Sequence, residues 1–417
     1  MASSLRPSFA FALLLAFALV LVPSFASSGA SGAPTFRMHD TGTTGVELNL
    51  GVAPNGHIFV GGWNHIARST DDGVSWAQTM TLPVVVAADR TLRVDHATGH
   101  VFTDDTYLGC TILSASGDEG ATWTRNPVAC GASATDHEKI AVGPRPVGST
   151  TTALDAVYNG AVYVCANGLV TDACGSSLDG GITMLPLPPH GVSCAYQGQP
   201  YVSAQGVLLE ASNACGANLR TSADGGLTWV SHNVAVSLDA GSGNVPVIAT
   251  TPDGTIYFMF MTPQFRPAFV YSHDGGTTWS APTLLSPAGV TSTVFPVIVG
   301  GDNGRIAVAY YGTSGWTGDP GAAPGTSAWD GYIGIVTDAD TAAPVVQTTR
   351  VTSDPLHFGC VSKQGGCGGD PIADYMDIDV GPDGRVYAIF MDAWIGGAHV
   401  PARGIIAVQT GGTNLHA

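Results

Sequence analysis

The amino-acid sequence predicts an all-β fold, a seven-bladed β-propeller of four-stranded antiparallel blades whose ring closes by pairing the N-terminal strand with the last blade. Three observations predict it. An eight-residue turn recurs five times, a glycine-led hairpin recurs seven times, and helical patterning is scarce between them.

The chain opens with Arg6, a 14-residue apolar run from Phe9 to Val22, and the small residues "PSFASSGASGA". That is the layout of a secretory signal peptide, placed at 1–26 and followed by a short linker, 27–33. The run falls short of the roughly 20 residues that span a bilayer. The expected location is therefore extracellular or periplasmic, with no membrane association after cleavage. Eight cysteines suit such a compartment and fall into local pairs: Cys110 with Cys130, Cys165 with Cys174, Cys194 with Cys215, and Cys360 with Cys367. None forms a CxxC pair, and the histidines are scattered, so neither a metal nor a cofactor is expected.

Of 417 residues, 45% are apolar, enough for a large core in one propeller domain over 34–412 with a tail at 413–417. The formal charge of −17 sets 32 acids, 28 of them Asp, against 15 bases, only two of them Lys. Such a surface repels nucleic acid and anionic membranes. It would also repel an acidic sugar unless arginines gather locally.

The recurring turn reads "STDDGVSW" ending at Trp76, "SGDEGATW" at Trp123, "SLDGGITM" at Met184, "SADGGLTW" at Trp229 and "SHDGGTTW" at Trp279. Its aspartates, Asp71, Asp118, Asp179, Asp224 and Asp274, are spaced by 47, 61, 45 and 50 residues. The hairpin glycines are Gly56, Gly99, Gly160, Gly206, Gly254, Gly304 and Gly384, each followed by an alternating apolar strand. In the first five units the turn Asp follows the hairpin Gly by 15, 19, 19, 18 and 20 residues, so the turn occupies one place in every unit. Seven hairpins give seven blades. The last blade, from about Asp374 to Thr410, shows only three strands, and "PTFRMHD" (34–40) has no blade of its own. It is expected to supply the missing strand and so remove two exposed edges.

The pattern S-x-D-x-G-x-[ST]-W resembles the Asp-box, or bacterial neuraminidase repeat, of the sialidase superfamily, over nearly all of the chain after the leader. The motif is specific for blade architecture and weak for chemistry. Its Asp can accept backbone N–H bonds within the tight turn, its Gly can take positive φ, and its Trp can pack between sheets. A calcium loop would need oxygen ligands at alternate positions over a dozen residues, which "SHDGGTTW" lacks.

With strands alternating in direction, the box turns and the hairpin turns share one face, and the longer connections emerge on the other. Variable loops carry function, so the site is expected on the box-free face. Two insertions, 312–331 and 353–375, emerge there side by side. The four tryptophans outside the boxes, Trp63, Trp316, Trp329 and Trp394, belong to blades one, six and seven, neighbours in a closed ring. They are read as a stacking platform for sugar rings, the alternative being that Trp63 and Trp394 only plug gaps between blades.

The resemblance implies a further set of residues. Sialidases clamp the substrate carboxylate with three arginines, use an Asp as acid/base, and use a Tyr activated by a Glu as nucleophile. Arg37, in "FRMH", stands where that family has F/Y-R-I-P, without the Ile and Pro. Arg90, Arg266 and Arg403 lie on the same face. On face and chemistry alone, Tyr375 is the nucleophile candidate, Glu138 its activator, and Asp104 or Asp105 the acid/base. Seven blades depart from the six of that family. Two functions stay open: a secreted monomer that binds glycans or glycoproteins without chemistry, and an exo-sialidase-type glycoside hydrolase.

Overall fold

The computed structural model describes Met1 and residues 32–417, apart from positions 46, 63–64, 82–89, 108–109, 131–135, 150–156, 168–171, 189–198, 214–215, 240–244, 362–366, 368–371 and 373–375. Among the described residues the chain forms seven antiparallel sheets. Their first strands are Asn49–Val52, Leu92–Val94, Asp136–Gly143, Tyr201–Val202, Val247–Thr250, Ser292–Gly300 and Asp377–Val380. These line a central channel, and strands two to four follow outward in chain order in the first six sheets. No described helix is long and apolar enough to cross a membrane.

The seventh sheet is closed as the sequence predicts. Its order is Asp377–Val380, Val386–Ile395, Ala398–Gly411 and then Thr35–Thr44, which pairs Arg37 with Val408 and His39 with Ile406. Closure leaves the ring with no unpaired end between its first and last segments. Blade six carries one short extra strand, His357–Phe358, paired with Ala328 and Trp329.

Burial explains the lettering of the strands. The second strands of blades five and six, "IYFMFM" (Ile256–Met261) and "IAVAYYGT" (Ile306–Thr313), are buried at every position. A sheet sandwiched between neighbouring blades is covered on both faces, so its strands read as continuous apolar runs. The outermost strand of blade six, Val345–Arg350, is polar and partly exposed.

The five repeated turns share one hydrogen-bond scheme. In the first, Ser69 Oγ donates to Asp71 Oδ1 at 2.8 Å and accepts from the Gly73 amide at 2.9 Å, while the Ser75 amide and hydroxyl donate to the two Asp71 oxygens at 2.8 and 2.6 Å. The same bonds recur around Asp118, Asp179, Asp224 and Asp274. Hydroxyl and amide donors hold the carboxyls of Asp71, Asp118 and Asp274 down at about 2. The indoles of Trp76, Trp123 and Trp229 donate to the carbonyl of the turn's last glycine at 3.0–3.1 Å.

The residue after each turn Asp is left-handed. Gly180, Gly225 and Gly275 take φ of 75, 75 and 71° there, and Asp72 and Glu119 take 58 and 59°. A non-glycine at such a φ is disfavoured unless its side chain is useful. Both are. Asp72 accepts from Arg385 of blade seven at 2.9 Å, and Glu119 accepts from His57 at 2.8 Å and Arg68 at 3.3 Å of blade one. The first two turns thus exchange backbone ease for clamps between blades.

The closing residues, expected as a tail, are packed into the ring. Leu415 is fully buried, its amide donates to Gly384 O at 2.7 Å, and its carbonyl accepts from Asp302 at 2.9 Å. A Cβ on Gly384 would lie 2.3 Å from the His416 amide, so only glycine admits this segment. Cys165 and Cys174 form a disulfide within blade three, and Cys360 and Cys367 form one in the connection from blade six to seven. Cys110 and Cys130 are register partners on adjacent strands of blade two. Cys194 and Cys215 lie outside the described residues.

Candidate functional site

The box-free end of the ring carries two groups of residues that invite chemistry. The first stands on blades six and seven. After strand two of blade six the chain turns through Trp316 and a short 3-10 turn, Pro320–Ala322, which Asp319 caps by accepting from the Gly321 amide at 2.8 Å. Thr291 and Ser292, entering the inner strand, donate to the Trp316 and Gly318 carbonyls at 2.6 and 2.8 Å. The blade six-to-seven connection is sewn to this loop by Val361 N to Pro320 O at 3.0 Å, and to blade seven by Ala393 N to Leu356 O at 2.9 Å. Hydrogen bonds at both ends order two long insertions.

On this base sits an aromatic group. Trp394, half-buried at the end of strand two of blade seven, meets Phe358 at 4.5 Å and the edge of His399 at 4.7 Å between ring centroids. His357 lies behind, 5.3 Å from His399, and its Nε2–H donates to Cys360 O at 3.0 Å. Burial pushes the His357 imidazole down to about 4, so it is neutral at ordinary pH. Trp316, in the other insertion, is also half-buried.

Trp329 corrects the sequence expectation. It is fully buried, and its indole donates to Gly359 O at 2.7 Å. A side chain with no exposed face cannot stack on a sugar, so Trp329 is a plug that anchors the two insertions. Trp63 lies outside the described residues.

The second group joins blades two and three. Asp104 and Asp105, near the end of a second strand, are 1% and 6% exposed, and Glu138, near the entrance of an inner strand, is 2% exposed. The Thr91 amide donates to Asp104 at 2.6 Å, and the Thr91 hydroxyl donates to the Glu138 carbonyl at 2.8 Å. Burial holds the Asp104 carboxyl well above the usual range; the Thr91 amide and Lys139 oppose this, and the neighbouring Glu138 and Asp105 add to it. Arg90 Nε donates to Asp105 at 2.9 Å, and Arg125 donates to its other oxygen at 3.1 Å. The structure thus gathers four of the residues singled out in the sequence: Asp104, Asp105, Glu138 and Arg90. Tyr375 lies outside the described residues.

The arginines do not converge. Arg90 serves Asp105, Arg266 of blade five donates to the Ser286 and Pro287 carbonyls at 2.9 and 3.2 Å, and Arg403 of blade seven joins Asp40 at 2.7 Å and Asp392 at 3.0 Å. Arg37 is exposed on the outermost strand of blade seven.

No protein-family model and no curated protein matches the chain. Among solved structures, a chain of the mitotic checkpoint complex matches with a TM-score of 0.51 at 10% identity, over 96% of this chain and 99% of that one. That likeness shows the fold alone. A protein of unknown function from Dyadobacter fermentans gives a TM-score of 0.45 at 14% identity, over 91% and 98% of the two chains. A variant of the NanB sialidase from Streptococcus pneumoniae gives 0.43 at 13%, over 92% and 70%.

The sequence reading missed one feature, the channel itself. At the end beneath the repeated turns it holds a cavity of about 370 Å³, walled by apolar residues such as Val94, Ile140, Ile248 and Val299. Its charged side chains come from blades two and seven: Arg93 meets Asp377 at 2.6 Å, and His96 meets Asp379 at 3.0 Å. The two aspartates also accept from the Leu50 and Val52 amides at 3.1 and 2.7 Å, which satisfies an inner strand whose channel edge has no neighbour. The D-x-D spacing of 377 and 379 in a strand was the available signal, since period two puts both on one side. One group of three described residues has metal-ligand proximity, Cys165, Cys174 and Glu210, but its two sulfurs are joined in the disulfide.

Proposed function

We propose that the protein is a secreted, sialidase-like Asp-box propeller that binds extracellular glycans or glycoproteins at the box-free rim of blades six and seven. One observation carries this reading: Trp394 is partly exposed and braced by Phe358 and His399, beside two insertions ordered by hydrogen bonds. A partly exposed indole held by its neighbours stacks on the apolar face of a pyranose at little conformational cost. The uniform Ser–Asp turns support the Asp-box resemblance, and the disulfides support an oxidising compartment. Immobilised-glycan binding tests it: binding to wild type that is lost in Trp394→Ala upholds the reading, and undiminished binding by that variant refutes it.

A second reading, a glycoside hydrolase of exo-sialidase type, is favoured by the buried pair Asp104 and Glu138. A carboxyl whose proton is held more tightly by burial beside another carboxyl is the arrangement a general acid uses. Against it stand the burial of Asp104 and Glu138, 1% and 2% exposed, and the dispersal of Arg37, Arg90, Arg266 and Arg403. Turnover of a fluorogenic sialoside that is lost in Asp104→Asn would establish it in place of the first.

A further inference from the structure

We infer that the rim of blades six and seven takes glycans ending in uncharged hexoses or N-acetylhexosamines and rejects those ending in a carboxylate or sulfate. This rests on the glycan-binding reading above and names the ligand class of the same site.

The argument is a charge inventory around Trp394. Asp392 lies two residues before it and accepts its backbone amide at 3.1 Å. Arg403, the nearest guanidinium across the sheet, is divided between Asp392 and Asp40. In the adjoining insertion Arg350 donates to Asp330 at 2.7 Å, with Asp354 close enough to influence Asp330 electrostatically, and Asp319 caps the turn beside Trp316. Five aspartates (40, 319, 330, 354 and 392) thus face two arginines, a net of −3. Lys363 lies in the same connection outside the described residues; counted in full, it leaves −2, before Asp370 and Asp374 of that stretch are added.

Recognition of an anionic sugar needs a cation with unspent donors, most effectively a bidentate guanidinium. Arg403 spends its donors on Asp392 and Asp40, and Arg350 gives one nitrogen to Asp330 and the Ser353 carbonyl. Of the other described arginines near this face, Arg266 binds carbonyls, Arg90 and Arg125 bind Asp105, and Arg37 stands on the outer strand. An incoming carboxylate would meet guanidiniums already paired with aspartates, in a rim whose excess of aspartates repels it most at low salt. Carboxylates are acceptor-only groups, so the same rim suits sugar hydroxyls, which donate.

The experiment titrates the protein with a galactose-terminated oligosaccharide and with its sialylated counterpart, at low and at high salt, alongside Trp394→Ala and the double variant Asp319→Asn/Asp354→Asn. The expected result is Trp394-dependent binding of the neutral probe at least about tenfold tighter than of the sialylated one at low salt, a gap that narrows with salt and in the double variant. Equal or tighter binding of the sialylated probe overturns the inference while leaving glycan binding intact. Binding of neither probe overturns the glycan reading and the inference together.

Discussion

The backbone amide of Leu50 donates to Asp377 Oδ2 at 3.1 Å, joining the inner strands of blades one and seven at the seam where the ring closes. Arg93 of blade two reaches the same oxygen at 2.6 Å, so one carboxylate ties three successive blades. Asp377 is 5% exposed. Its replacement by alanine strands a buried guanidinium and an inner-strand amide, and is expected to cost about 3–5 kcal/mol. Urea unfolding of Asp377→Ala against wild type measures this; a loss within experimental error contradicts it.

Two sets of aspartates make stability depend on pH with opposite signs. Asp71, Asp118 and Asp274 have folded values of about 2 against an ordinary 3.8, so their contribution is present above 3.8 and lost as the pH falls toward 2. Asp104 is raised by burial, so what it contributes is present below the ordinary value and lost as the pH rises through its folded value. Thermal melts should therefore show acid destabilisation that Asp104→Asn leaves in place, together with a smaller decline in that variant as the pH rises above the ordinary carboxylate value. An unchanged decline in Asp104→Asn would refute the assignment.

Trp329 and Trp394 are predicted to separate stability from binding. Trp329→Ala empties a fully buried site and leaves Gly359 O without its donor, a loss of about 3–5 kcal/mol. Trp394→Ala removes a half-exposed ring and should cost well under half as much while abolishing glycan binding. Denaturant melts and binding run on both variants test the contrast.

Removing the strand Thr35–Thr44 would bare Ala398–Gly411 as an exposed edge. The truncated chain is predicted to melt lower and to associate into dimers or larger species through that edge. Size-exclusion chromatography with light scattering reads the outcome; a stable monomer with the wild-type melting temperature contradicts strand closure as a source of stability.

The blade count, the closing strand and the working arrangement of the repeated turns were legible because they depend on local chemistry: glycine φ, period-two alternation and short-range hydrogen bonds to one Asp. The gathering of Asp104, Asp105 and Glu138 was legible once the hairpin glycines aligned the strand ends of blades two and three. Trp329 was not, since a tryptophan in a long insertion carries no mark of whether a later segment, here His357–Phe358, will pair with it and bury it. Nor was the dispersal of the arginines, because a guanidinium's partner is chosen in three dimensions: Arg403 finds Asp40 across 363 positions of sequence. The packing of Leu415 was hidden for the same reason, as its contacts are to Gly301 and Gly384 of two different blades.

The central claim is that ligand is bound on the face opposite the repeated turns, at blades six and seven. The most direct measurement is a calorimetric titration with a galactose-terminated oligosaccharide of three proteins: wild type, Trp394→Ala, and Leu227→Ser, which alters an exposed apolar residue of a repeated turn. Binding that survives in Leu227→Ser and disappears in Trp394→Ala is the predicted result, and binding that survives in Trp394→Ala or disappears in Leu227→Ser would contradict it.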